Sequence, residues 1–192
     1  CRYDYKFEPF RDIWFDYCRP LRVLDEDLSK TRMYQNEANR KLELSDSLCL
    51  DDYIAKLEIV ADIHRMRDSE LERVVQLVNK TNQFNVTTKR YTQAQIEKIT
   101  ADSSNTIYVV YSSDKYGDSG LISVIILKEL RTQVIIDTFL MSCRVMGRRL
   151  EDVVINELVV KYAGKTLLAE YIPTEKNAPV KDLFDRLGFE MV

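Results

Sequence analysis

The chain has 192 residues, with 28 basic against 31 acidic side chains and a formal net charge of −3. Hydrophobic residues at 45% and charged residues at 31% are the balance of a folded globular protein and exclude a disordered chain. A sequence pI near 5.4 argues against a general nucleic-acid binder, and the longest apolar stretches, 121–127 and 134–143, fall far short of the ~20 residues that span a bilayer.

This length holds one ordinary domain with an appendage, or two small ones, and needs no metal or disulfide staple. The four cysteines, Cys1, Cys18, Cys49 and Cys143, form no C-x-x-C pair, and His64 alone is too little for a common zinc site. No charged-then-apolar leader is visible, so reduced thiols in the cytoplasm are expected. The chain starts at Cys1 rather than Met, which reads as a piece of a longer protein.

Residues 1–24 are dense in aromatic side chains, among them Trp14, Phe15 and Tyr17, and such density calls for a partner surface. Asp25 opens a helix through about Lys41, free of Gly and Pro. A break at 45–47 precedes a short helix at 51–57. Apolar and polar residues then alternate over 58–63, as in a strand. Asp68 caps a helix whose apolar face is Leu71, Val74, Val75 and Val78, and 92–100 is a second short helix. Strands follow at 107–111, 121–127 and 133–142, the first two joined through Gly117-Asp118-Ser119-Gly120. An amphipathic helix at 150–162 ends at Gly164, 167–172 is a strand, 180–187 is a helix ended by Gly188, and 189–192 begins a last strand. The order predicts a mixed α/β fold with an antiparallel meander at its centre and the last helices covering the sheet.

Chemistry concentrates where the strand at 133–142 runs through Cys143, Arg144, Val145 and Gly147 into a helix. Free backbone N–H groups at that helix start, with Arg144, Arg148 and Arg149 beside them, suit a phosphate or pyrophosphate; the alternative is a solvated basic turn. Cys143 beside the same helix start is a candidate nucleophile, or a small buried hydrophobe. Strict alternation would put Asp137, Phe139, Met141 and Cys143 on one face, with Asp137 as base or substrate ligand, or as a strand residue bonded to a loop. Lys80, Asn82, Gln83 and Asn85 offer amide and ammonium groups to a substrate, or for capping their own loop. His64 is read as structural or surface.

Arg144-x-x-Gly147 between strand and helix resembles the acyl-CoA loop of the GNAT superfamily, and Asn177-Ala178, Phe184 and Gly188-Phe189 continue the likeness. The resemblance implies a GNAT-like fold from residue 58 to 192, with a splayed pair of strands beside the turn. It also implies CoA or carrier-protein phosphopantetheine bound by Arg144, Val145, Gly147, Arg148, Arg149 and Asn177. Two positions depart from the pattern: Arg149 replaces a small residue, and Phe184 stands where many members carry a proton-donating Tyr.

A narrower likeness rests on Asn79-Lys80-Thr81-Asn82-Gln83-Phe84-Asn85-Val86-Thr87-Thr88-Lys89-Arg90-Tyr91, on Tyr116-Gly117-Asp118-Ser119-Gly120-Leu121, on 137–148, and on Pro173-Thr174-Glu175-Lys176-Asn177-Ala178-Pro179-Val180. These segments resemble FkbH-type proteins, which join a HAD-like phosphatase half to a GNAT-like half. Asp25-Glu26-Asp27-Leu28-Ser29 lacks the Asp-x-Asp-x-Thr of the HAD half. The likeness therefore covers a linker at 1–57 and the GNAT-like half. It implies transfer of a glyceryl unit to an acyl carrier protein for methoxymalonyl-type polyketide extender biosynthesis, with the HAD-like half and the carrier as partners and no metal in this half. The alternative is a non-catalytic docking module for the carrier protein, and a stand-alone N-acetyltransferase comes third.

Overall fold

The computed structural model describes the backbone of residues 25–191 and the side chains of residues 33–191. The aromatic segment 1–24, and Val192 at the end of the expected last strand, lie outside the described residues. The chain divides into two compact units between Ser47 and Leu48. In the first, helix α1 spans Asp25–Ser45, running past its expected end at Lys41. It exposes Met33, Tyr34, Leu42 and Leu44.

The second unit starts earlier than the expected boundary at 57/58. Helix α2, Leu50–Leu57, belongs to it, because Leu57 is fully buried and its carbonyl accepts a hydrogen bond from the Lys115 N–H at 3.0 Å. Glu58 then takes a left-handed conformation (φ 53°) that ends α2. This moves the strand expected from Glu58 to β1, Val60–Arg65. A 3₁₀ turn at Asp68–Glu70 leads into α3, Leu71–Lys80, whose Val74, Leu77 and Val78 are buried as their spacing requires. Helix α4, Gln93–Ala101, starts on a capping box in which Thr92 and Gln95 exchange hydrogen bonds.

Strands β2, Asn105–Asp114, and β3, Gly117–Glu129, form a hairpin over Lys115-Tyr116. Both outrun the expected strands because the Gly117–Gly120 stretch belongs to β3 rather than to the turn. Strand β4, Gln133–Met141, helix α5, Leu150–Lys161, and strand β5, Thr166–Ala169, complete the sheet. The sheet order is β1-β2-β3-β4-β5, antiparallel through β4, with β5 parallel to β4 after the α5 crossover. The meander is therefore as the chain order predicts.

Two buried clusters flank the sheet. One packs β-strand residues such as Ile125, Ile136 and Phe139 under Leu150, Val154 and Leu158 of α5. The other packs Val109, Val124 and Leu140 under Val74 and Val78 of α3 and Ile96 of α4. Strand β3 serves both, which explains why 121–127 is apolar without alternation. The helix expected at 180–187 is a 3₁₀ turn at Ala178–Val180 followed by the single-turn α6, Leu183–Arg186. Residues 189–191 form no strand; the Phe189 N–H instead closes back on the Phe184 carbonyl at 2.9 Å. No described helix is long and apolar enough to cross a membrane.

Candidate functional site

The site is built where β4 and β5 part. They pair from Gln133–Thr166 to Ile136–Ala169 and no further. Just beyond, β4 carries a bulge: Leu127 faces Ile136 and Ile126 faces Thr138, leaving Asp137 as the extra residue. A bulge bends its strand and sharpens its twist, so the two strands splay.

The chain's own segment 84–87 occupies the opening. The Val86 N–H donates to the Phe139 carbonyl at 3.1 Å, and the Met141 N–H donates to the Phe84 carbonyl at 2.9 Å. On the other side the Ile172 N–H donates to the Val86 carbonyl at 2.9 Å. This also explains why β5 stops at Ala169 although strand character was expected to Ile172.

Asn177, fully buried, rivets the arrangement. Its amide donates to the Asn85 and Ile172 carbonyls, both at 2.9 Å, and its oxygen accepts from the Thr174 N–H at 2.7 Å. Asn85 is equally buried and accepts from the Thr88 N–H at 2.9 Å. In this structure the amides of Asn85 and Asn177, expected to meet substrate and cofactor, are spent on the scaffold. Lys80, Asn82 and Gln83 lie at the surface. Arg90 donates to the Val78 carbonyl, to the Thr81 carbonyl at 2.7 Å and to Asn82, capping the end of α3.

Asp137 accepts from Lys89 at 2.7 Å, from the Tyr91 hydroxyl at 2.6 Å and from Thr138 at 3.0 Å. Burial pushes its carboxyl up, but these donors outweigh burial and hold it below the usual carboxylate range. Burial and the Asp137 carboxylate push the Tyr91 hydroxyl up to about 12. The expectation that Asp137 shares a face with Phe139, Met141 and Cys143 fails because the bulge breaks the alternation. Phe139 and Met141 join Ile136 under α5, whereas Asp137 meets Tyr91, which packs on the α3/α4 side. So held, Asp137 can orient a donor but is a weak base.

The turn after β4 carries the remaining expected residues. Cys143 is exposed at its head, and Val145 is fully buried in the core. Gly147 (φ 79°) and Arg149 (φ 54°) are both left-handed; the first is natural for glycine, the second is not. The three arginines do not converge as fixed charges on one spot. Arg148 is 6% exposed and turns inward, donating to Asp114 at 3.2 Å and to the Arg144 carbonyl at 2.9 Å. Arg149 pairs with Asp51 at 2.7 Å across an exposed surface. Arg144 is exposed, its Nε 3.4 Å from the Ser142 hydroxyl.

A cavity of about 670 Å³ lies against the start of α5, lined among others by Phe84, Met146, Gly147, Glu151, Val180 and Leu183. Its charged lining is mixed: Arg149 and Arg186 against Glu151, Asp152 and Asp182. Arg186 donates to Glu151 at 2.8 Å and to Asp152 at 2.7 Å, tying α6 to the first turn of α5. Sequence reasoning missed Asp114, Glu151 and Arg186. Asp114 lies just before the Tyr116–Leu121 segment and Glu151 just after 137–148, but nothing local marks which arginine each would meet. Among the described residues no group of three His, Cys, Asp or Glu side chains is arranged to hold a metal.

No protein-family model matches the chain, and no curated protein sequence matches it. Solved structures do match in fold. A domain from Methanocaldococcus jannaschii DSM 2661 aligns with a TM-score of 0.54 at 13% identity, over 70% of this chain and 91% of that one. The ribosomal-protein-S18-alanine N-acetyltransferase from Escherichia coli aligns at 0.51 and 14%, over 69% and 79%. The aminoglycoside antibiotic 6'-N-acetyltransferase AAC(6')-Ih from Acinetobacter baumannii aligns at 0.51 and 8%, over 69% and 92%. The likeness at these identities is one of fold: a mixed α/β GNAT-like fold with a five-stranded sheet.

Proposed function

We propose that the chain is an acyltransferase-type domain that binds a phosphopantetheine thioester, of CoA or of an acyl carrier protein, at the turn between β4 and α5. The observation that carries this reading is the cavity against the start of α5, with Cys143 exposed at the head of the same turn. The FkbH-type likeness makes the acyl group a glyceryl unit and the acceptor a carrier protein in methoxymalonyl-type polyketide extender biosynthesis.

In this reading Cys143 is the acyl relay. Its sulfur attacks the thioester carbonyl, a new S–C bond forms, the bond to the pantetheine sulfur breaks, and the departing thiolate takes up the proton that Cys143 gives to solvent. Phe184 has no proton to donate, so such a relay bypasses the missing acid. Asp137, bound by Lys89 and Tyr91, serves as a substrate ligand rather than as the base for Cys143. Arg144, the outward-facing arginine of the turn, is the one suited to the phosphate.

A second reading is a non-catalytic docking module for the carrier protein. The filled opening between β4 and β5, and the inward pairing of Arg148, favour it. Intact-mass analysis with glyceryl-loaded carrier protein separates the two. The relay reading expects a glyceryl-sized adduct labile to hydroxylamine, lost in Cys143→Ala and kept in Cys49→Ala. Carrier binding with no adduct selects the docking module, and an adduct surviving Cys143→Ala refutes the assignment of Cys143.

A further inference from the structure

Glu151 stands in the first turn of α5, is 8% exposed and lines the cavity. One carboxyl oxygen, Oε1, accepts from Arg186 at 2.8 Å. The other, Oε2, has no hydrogen-bond partner, and among the described residues it is the only buried side-chain nitrogen or oxygen of which this is true. The other buried side-chain nitrogens and oxygens of the described residues have partners, those of Asn85 and Asn177 among them. A buried acceptor without a donor is unfavourable, and a ligand that brings one recovers that loss.

The surroundings describe the donor's carrier. Phe84, Met146, Val180 and Leu183 give the cavity apolar walls. The three acidic side chains of its lining outnumber the two arginines, and both arginines already hold carboxylates. The cavity therefore fits a largely apolar chain bearing N–H or O–H donors better than a concentrated anion. A pantetheine arm has that character: an aliphatic chain interrupted by two secondary amides.

We propose that Glu151 Oε2 is a specificity-determining acceptor of this cavity, taking a hydrogen bond from an amide N–H of the pantetheine arm. The inference rests on the thioester-arm reading above and adds to it the residue that recognises the arm. Oε2 is sealed from water in the structure, so the ligand must draw it out. The terminal carboxyl torsion is soft, and Arg186 keeps a second partner in Asp152 while the carboxyl turns. The phosphate of the arm stays outside the cavity, where Arg144 is exposed.

The test is titration calorimetry on the full chain with pantetheine and with pantetheine methylated on both amide nitrogens, for wild type and Glu151→Ala. Wild type is expected to bind pantetheine and to lose at least about tenfold in affinity on methylation. Glu151→Ala should lose a similar factor for pantetheine itself and show no further loss on methylation. Asp182→Trp, at an exposed position on the cavity lining, should block pantetheine without lowering the melting temperature. Binding by Glu151→Ala equal to wild type, or an equal methylation effect in both, overturns the role of Glu151 and leaves the thioester-arm reading standing. No binding of pantetheine, CoA or a phosphopantetheinyl carrier protein by wild type overturns both. Should Glu151→Ala fail to fold, the methylation effect in wild type and the Asp182→Trp result decide.

Discussion

Two neighbouring regions of the second unit handle their polar groups in opposite ways. In the opening between β4 and β5, segment 84–87 pairs with both sides, and Asn177 uses both amide hydrogens and its oxygen. At the start of α5 there is a cavity of about 670 Å³ with a buried carboxyl oxygen left unmatched at its wall. Phe84 belongs to both: it opens the filled segment and lines the empty space. A fold that completes its hydrogen bonds in one place and leaves them incomplete a few residues away separates scaffold from site. Candidate polar residues are then sorted by whether their bonds are already made.

The largest expected effect tests the strut beneath the turn. Arg148→Ala removes one partner of an ion pair whose Asp114 side chain is 1% exposed, and should cost roughly 3–5 kcal/mol in urea unfolding. A loss under about 1 kcal/mol would mean that Arg148 is held as loosely as a surface arginine.

Next comes the rivet. Asn177→Ala leaves the Asn85 and Ile172 carbonyls and the Thr174 N–H without their partner, at a cost of about 3 kcal/mol. Hydrogen exchange should speed up at Val86, Met141 and Ile172 and stay unchanged in β2. Unchanged protection of those three amides would break the claim that the opening is closed by Asn177.

Asp137→Asn probes the bulge. The folded-state carboxyl lies below its unfolded value near 3.9, so its contribution is present above that value and lost as pH falls through the folded one. The stability difference from wild type should be about 1 kcal/mol near neutral pH, since the pair with Lys89 is about one-third exposed, and should shrink as pH falls below the unfolded value and through the lower folded one. A difference independent of pH would assign the effect to packing.

The smallest effect belongs to the candidate site. Cys143→Ala, at an exposed position, should change stability by less than about 0.5 kcal/mol while abolishing any acyl adduct. Loss of the adduct together with a large loss of stability would remove the contrast between scaffold and site.

The element order, the meander and the apolar face of α3 were legible because each is set by local periodicity. The turn containing Gly147 that leads into α5 was legible from the glycine and the helical spacing after it. The bulge was not: one extra residue at Asp137 reverses the alternation, and no residue type marks a bulge in a run as apolar as 134–141. Nor was the closing of the opening, since Asn85 and Asn177 have the composition of ligand-binding residues. Only their partners, brought together by the fold, show them bonded to the chain. The inward turn of Arg148 is of the same kind, because its partner Asp114 lies 34 residues away.

The bond between Asn177 and the Asn85 carbonyl spans 92 residues, and that distance orders the assembly of the domain. The hairpin of β2 and β3 closes across two residues, whereas segment 84–87 gains its second side only after β4, α5 and β5 exist. During synthesis, at roughly 5–20 residues per second, strands β1 to β4 are made while the segment that will seal β4 still waits for residue 177. Until β5 is made, the Gln133–Ile136 stretch of that edge of β4 is bare, and a bare edge is a template for pairing with other chains. A chain cut before residue 166 should therefore aggregate or be captured by chaperones more readily than one that runs past residue 177.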